Sequence, residues 1–287
     1  MRELAFIGVG IMGKSMVRNL MKAGFRLTIY SRTKSKCEDV ISEGAVWADS
    51  VAECVKYADA VCTIVGYPKD VDEVYFGAGG ILENAKSGAY LIDMTTTSPS
   101  LSARIYETGK AKGLHPLDAP VTGGDTGARS GTLSILVGGD AADYETCMPI
   151  LQAMGKKIVH MGPAGSGQHA KMANQIAIAG ALSGVCEALT YAKAKNLDLM
   201  VLLSAISAGA AGSFQMTSLA PKMVSGDFDP GFIMSHFIKD MTIAGGEALR
   251  DQVKLPVLEQ VLGQCRALEA QGLGVLGTQA LIKNYEK

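Results

Sequence analysis

Cysteine is scarce and unpaired in this sequence: six residues, Cys37, Cys54, Cys62, Cys147, Cys186 and Cys265, with no CxxC among them. That spacing suits neither a zinc site nor a disulfide framework, and buried free thiols are ordinary in reduced compartments. Net charge is nearly absent too, at −1 from 27 basic and 28 acidic residues. No basic field exists to draw the chain to nucleic acid or an anionic membrane, although a local cluster can still hold a phosphate. The four histidines, His115, His160, His169 and His236, never stand at metal-ligand spacing, and no serine sits in a GxSxG elbow. A metal site and an α/β-hydrolase are therefore not expected. No run reaches the ~20 uninterrupted apolar residues of a membrane helix, since Ile176–Val185 is short and carries two glycines. The opening MRELAFIGVGIMG is a short apolar run broken by glycines, not a secretory signal. A soluble, cytoplasmic protein is expected, with no nucleic-acid or membrane partner.

What the chain does have is core-forming material. It runs to 287 residues, 48% hydrophobic and 19% charged, which suits two globular domains and opposes disorder. The first half alternates short apolar runs with helical periodicity. Strands are expected at Leu4–Val9, Arg26–Tyr30, Gly44–Trp47, Asp59–Val65, Ala89–Asp93 and His115–Ala119. Helices fall between them at Ile11–Lys22, Ser35–Glu43, Ser50–Lys56, Asp70–Tyr75 and Pro99–Lys112. That alternation builds an open, mostly parallel sheet covered on both faces. A glycine-rich loop from Gly123 to Gly131, a strand Leu133–Val137, a helix Ala141–Ala153 and a strand Lys157–His160 complete this part. Beyond Gly165 only helical periodicity remains: His169 through Lys195, then Leu199–Ala208, Phe214–Val224, Ile238–Arg250 and Leu255–Gln271. The expected architecture is an α/β Rossmann domain over residues 1–162, then a long connecting helix and an all-α domain over 163–287.

Gly8-Val9-Gly10-Ile11-Met12-Gly13 fits GxGxxG directly after the first strand and opens the first helix. Gly8 permits the tight turn, Gly10 admits a pyrophosphate to the backbone, and Gly13 lets helix and strand pack closely. The amides at the helix start, around Ile11 and Met12, then face the phosphates with a favourable dipole. GxGxxG alone is weak, but here the flanking strand and helix are both in place. The second strand ends Tyr30-Ser31-Arg32-Thr33-Lys34, with no carboxylate to hold a ribose 2′-hydroxyl. Arg32 can instead clamp a 2′-phosphate bidentately, with Ser31 and Thr33 supplying hydroxyls. NADP(H) is favoured and NAD(H) remains open. Val65, closing another strand, is placed at the same cofactor.

Four further clusters are hard to explain by folding alone. They are Asp118-Ala119-Pro120-Val121-Thr122-Gly123-Gly124 at a strand's carboxyl end, Gly165-Ser166-Gly167-Gln168-His169-Ala170-Lys171-Met172-Ala173-Asn174-Gln175, Lys239-Asp240, and Asp93-Met94-Thr95-Thr96. With GVGIMG they resemble, over essentially the whole chain, the β-hydroxyacid dehydrogenase family. That family includes 3-hydroxyisobutyrate dehydrogenase, tartronate semialdehyde reductase and the glyoxylate and succinic semialdehyde reductases. The resemblance implies a catalytic acid/base at Lys171, a substrate-orienting Asn174 one turn on, and a substrate loop at Thr122, Gly123 and Gly124. It also implies a cofactor-contacting Lys239 and a threonine near the nicotinamide ribose, Thr96 or its neighbour Thr95. Thr122 departs from the family's usual serine; the hydroxyl survives, and its added methyl is expected to narrow the pocket and bear on which substrate fits. Association into a homodimer or homotetramer is implied as well.

The chemistry explains the lysine. Delivering hydride to an aldehyde makes an alkoxide that a nearby proton must quench, and burial lowers a lysine's pKa toward the range where it exchanges protons. Lysine on a long helix is ordinarily solvated; inside this motif the catalytic reading prevails. The expected activity is NADPH-dependent reduction of a small carboxylated aldehyde, reversible as hydroxyacid oxidation. The rivals are an imine reductase-like enzyme, which Lys171 opposes, and a non-catalytic dinucleotide-binding protein, which the lysine and the phosphate loop together oppose. His236-Phe237 is expected to line the cleft near Lys239, and Ser213, Phe214 and Phe232 to shape substrate choice.

Overall fold

The computed structural model describes residues 1–286. Tertiary packing divides them into two units, Met1–Lys171 and Met172 onward. In the first, nine strands form one sheet: β1 (Glu3–Ile7), β2 (Arg26–Tyr30), β3 (Val46–Trp47), β4 (Ala60–Thr63), β5 (Tyr90–Asp93), β6 (His115–Asp118), β7 (Val121–Thr122), β8 (Leu133–Gly138) and β9 (Gly155–Gly162). Strands β1 to β6 lie parallel in the order 3-2-1-4-5-6, the doubly wound arrangement that binds dinucleotides at the carboxyl ends of its strands. Strand β8 runs antiparallel to β6 and β7 and parallel to β9.

Alternation along the central strands fills both faces. Leu4 and Phe6 of β1 enter one core with Cys62 and Ile92, while Ala5 and Ile7 enter the other with Val61 and Leu91. The period of two sends successive side chains to opposite sides. Register then places Ile7, Thr63, Asp93 and Asp118 side by side across β1, β4, β5 and β6. The last three make a buried polar row at the carboxyl edge.

The segment from Gly123 to Gly131, expected as a loop, instead carries the helix Gly124–Ser130, directly after strand β7. Its glycines hid the helix, because glycine is a poor helix former. Tertiary contacts override that propensity: Asn19 Nδ2 donates to Ala128 O at 2.7 Å, and Gly127 packs close to Leu133. Three short elements also escaped the sequence reading, the helix Ile81–Asn84 and the 3₁₀ turns Leu273–Val275 and Thr278–Tyr285.

The second unit is helical. Its principal helices are the remainder of Ser166–Ala194, then Leu199–Ile206, Ala220–Ser225, Met234–Arg250 and Pro256–Ala270. A π-helical turn, Gln215–Leu219, precedes Ala220–Ser225 where one continuous helix was expected. Asn196, at φ 57°, follows the long helix in a left-handed conformation, and Asp198 caps the next through Met200 N and Val201 N. At 29 residues, Ser166–Ala194 is long and apolar enough to cross a membrane by length and composition alone. The uninterrupted apolar run judged absent from the sequence is still absent here, because Gly180 and Gly184 break it. Ala179, Leu182, Cys186 and Leu189 of this helix pack in the unit's core.

Candidate active site

The phosphate-binding turn can be read glycine by glycine. Gly8 sits at φ +98°, and a Cβ there would lie 2.1 Å from Ile64 O. A Cβ on Gly13 would lie 2.1 Å from Gly8 O, so Gly13 keeps the helix Ile11–Lys22 against the turn. Gly10 differs. It caps that helix in extended backbone, and a Cβ there meets nothing within 4 Å. The fold leaves Gly10 unexplained, whereas a pyrophosphate approaching the first-turn amides of Ile11, Met12 and Gly13 explains it. The helix carries no acidic residue in its first turn. These residues fit a dinucleotide.

At the end of β2, Ser31 is half-buried and Arg32 and Thr33 are exposed. Arg32 Nη1 reaches Asp70 Oδ1 at a long 3.5 Å, while Asp70 Oδ2 accepts Tyr67 N at 3.0 Å. One such contact engages a small part of a guanidinium with five donors. Val65 lies beside Gly8 beyond β4, and its amide donates to Thr95 Oγ1 at 3.0 Å. That bond commits the buried Thr95 to the fold. Its neighbour Thr96 is half-buried and is the better candidate for a ligand contact.

Beneath this loop Asp93 is fully buried. Its Oδ1 accepts from Thr63 Oγ1 at 2.7 Å and Thr95 N at 3.1 Å, while its Oδ2 finds no hydrogen-bond partner. Burial pushes its carboxyl up to about 6, against the opposing pull of those hydrogen bonds. Its folded pKa thus exceeds its unfolded one, so the folded state binds more protons between about pH 4 and 6, and stability falls as pH rises there. Asparagine keeps an acceptor for both donors without the charge. Urea unfolding of Asp93→Asn should show a stability advantage over the native chain that grows across that interval; a pH-independent difference would contradict this reading.

Asp118 closes β6 and holds the start of the helix Ser166–Ala194. Its Oδ1 accepts Gly165 N at 2.7 Å and its Oδ2 accepts Gln168 N at 2.9 Å. Burial nonetheless raises its carboxyl above the usual range. Gly167 is needed for closeness, since a Cβ there would lie 2.4 Å from Leu136 O. One turn beyond Gln168, Lys171 is buried to 7% exposure, and its Nζ donates to Val121 O at 2.9 Å. The next residues are Thr122, half-buried, and Gly123 and Gly124, at φ +129° and +62°. An ammonium, a hydroxyl and a glycine backbone of unusual conformation therefore stand together at the carboxyl end of the sheet. Such a set can pass a proton and receive a carboxylate.

In the second unit, Asn174 Nδ2 donates to Gln175 Oε1 at 2.8 Å, and Gln175 Nε2 donates to Asp240 Oδ2 at 2.7 Å. Lys239 Nζ lies 3.1 Å from Asp240 Oδ1. Asn174 and Lys239 are thereby joined through two buried residues, Gln175 and Asp240. Sequence spacing gave no role to either, because the Gln175–Asp240 bond spans 65 positions. His236 is lowered by burial first and by the Lys239 charge second. Phe237, expected to line a cleft, is wholly buried in the helical core, its ring 6.0 Å from that of the partly exposed Phe232. Phe214 is exposed.

A Rossmann unit with this turn, followed by a lysine-bearing helix, defines a nicotinamide-dependent oxidoreductase. Comparison with known proteins narrows the class. Residues 3–162 match the NAD-binding domain of 6-phosphogluconate dehydrogenase, and residues 165–285 match the NAD-binding domain of NADP-dependent 3-hydroxyisobutyrate dehydrogenase. An uncharacterized oxidoreductase of Bacillus subtilis, YkwC, is 50% identical, covering 100% of this chain and 99% of its own length. The probable mitochondrial 3-hydroxyisobutyrate dehydrogenase-like 1 of Arabidopsis thaliana is 43% identical, covering 99% of this chain and 85% of its own. The structure of Mycobacterium tuberculosis 3-hydroxyisobutyrate dehydrogenase with L-serine superposes with a TM-score of 0.92 at 27% identity, over 100% of both chains. The chain belongs to the β-hydroxyacid dehydrogenase family, and it is an enzyme acting on CH–OH groups with NAD(P).

Proposed function

We propose that this enzyme reduces small carboxylated aldehydes of the glyoxylate, succinic semialdehyde or tartronate semialdehyde type with NADPH, and oxidises the matching hydroxyacids in reverse. The observation that carries the reading is the buried Lys171 ammonium, 2.9 Å from Val121 O and next in chain to Thr122-Gly123-Gly124. Lysine is almost never buried without a partner or a purpose. NADPH, when bound, supplies the hydride. Lys171 gives its proton to the carbonyl oxygen as that oxygen gains charge, and takes one from the hydroxyl in the oxidation direction. The Thr122 hydroxyl and the Gly123 and Gly124 amides receive the substrate carboxylate. Asn174 orients the reacting oxygen, and Lys239 contacts the cofactor. The half-buried Thr96 faces the nicotinamide ribose.

The testing experiment is a panel. Glyoxylate, succinic semialdehyde and tartronate semialdehyde are assayed for reduction with NADPH and with NADH, and 3-hydroxyisobutyrate and L-serine for oxidation. Turnover of at least one aldehyde is expected; cofactor binding without turnover of any compound would favour a non-catalytic dinucleotide-binding protein. Cofactor choice has its own test. Hydrogen bonds to charged groups contribute about 1.5–3 kcal/mol, so Arg32→Asp should raise KM for NADPH roughly tenfold or more while sparing NADH. Equal losses with both cofactors would remove Arg32 from the phosphate site.

A further inference from the structure

We infer that Gln168 is the positioning residue that fixes Lys171 relative to the Thr96 loop, and so sets the reacting geometry. Gln168 is completely buried, and both polar atoms of its amide are engaged. Nε2 donates to Thr95 O at 2.8 Å, and Oε1 accepts from Thr97 N at 3.1 Å. A peptide N–H only donates and a carbonyl only accepts, so this orientation of the amide is forced. The two bonds grip the peptide groups on either side of Thr96, much as a neighbouring strand would. They therefore fix how Thr96 is presented.

The same residue is anchored at its backbone, where Gln168 N donates to Asp118 Oδ2 at 2.9 Å. Gly167, pressed against Leu136 O and Asp118 O, leaves the helix no room to shift toward the sheet. Three residues later on the same rigid helix, about 4.5 Å along its axis, Lys171 meets Val121 O. Gln168 thus ties the loop that presents Thr96 to the helix that presents the proton donor. Misplacement of reacting groups by about 1 Å costs on the order of 10²-fold in rate. A link of two short buried hydrogen bonds holds within that tolerance. The inference rests on the proposed roles of Lys171 and Thr96.

Gln168→Glu gives a reversible test. While the introduced carboxyl is protonated, its O–H donates to Thr95 O and its carbonyl oxygen accepts from Thr97 N, restoring both bonds. Once ionised, it offers only acceptors and faces the Thr95 carbonyl with a negative charge. NADPH-dependent reduction is measured on whichever of glyoxylate, succinic semialdehyde and tartronate semialdehyde the native enzyme turns over fastest. The ratio of variant to native kcat should be near one at low pH and fall by on the order of 10²-fold as the introduced carboxyl ionises, with KM for NADPH little changed. Gln168→Met, which lacks both bonds, should be slow at every pH, its ratio to native flat. Thermal melts at each pH separate folding from rate. A flat ratio near one for Gln168→Glu, or losses that vanish per folded molecule, would overturn the inference while Lys171→Ala remains strongly slowed. Native turnover in Lys171→Ala would instead overturn the reading beneath it.

Discussion

Lys171→Ala should lower kcat by a factor on the order of 10²–10⁴, the range in which general acid–base catalysis contributes, and leave the affinity for NADPH nearly unchanged. The separation is geometric. Lys171 reaches across to Val121 O beside the Thr122 loop, whereas the turn proposed to hold the phosphates, Gly8, Gly10 and Gly13, follows β1. Truncation also leaves Val121 O short of one donor, a modest stability cost that a thermal melt will register without affecting cofactor titration. Lys171→Arg should not restore turnover, because guanidinium keeps its proton at any pH the enzyme tolerates and its fork does not match a single carbonyl. Fluorescence titration with NADPH and steady-state rates on a reactive aldehyde check both halves. A loss confined to cofactor affinity would move Lys171 out of the chemistry.

Gly10→Val should abolish measurable binding of NADPH and NADH in a chain that still folds. Its backbone, φ −85° and ψ −158°, suits any residue, and a Cβ there projects into open space. The isopropyl group takes the volume that the pyrophosphate needs. Gly13→Ala is the contrasting substitution. Its Cβ would stand 2.1 Å from Gly8 O, so the helix must move off the turn and the Rossmann unit loses stability. Two changes within one motif are thus expected to separate binding from folding. Isothermal titration and circular dichroism melting distinguish them; tight cofactor binding by Gly10→Val would show the turn to be a mere connection.

Much of this was legible in the chain, for definable reasons. The glycine turn was legible because its motif lies within residues 3–22, although the fit of Gly8 against Ile64 O was not, and the mostly parallel sheet follows from strand–helix alternation. Helical spacing puts Lys171 and Asn174 on one face, and the family resemblance is what gave them roles. The helix Gly124–Ser130 was not legible, since four glycines between Gly123 and Gly131 speak against it and packing against Asn19 and Leu133 decides it. Asp118 and Gln168 lay inside quoted motifs, yet their roles depend on bonds spanning 47 to 73 positions. Nor does the sequence say that the Thr95 hydroxyl accepts from Val65 N, the bond that favours Thr96 over Thr95 as the proposed cofactor contact.

The most direct measurement of the central claim is the pH dependence of kcat in both directions on one native preparation. In reduction Lys171 must begin protonated, and in oxidation it must begin neutral. The reduction rate should therefore fall, and the oxidation rate rise, over one shared pH interval, and both slopes should vanish in the residual activity of Lys171→Ala. Parallel profiles in the two directions, or opposed profiles that persist without the lysine, would contradict Lys171 as the acid/base.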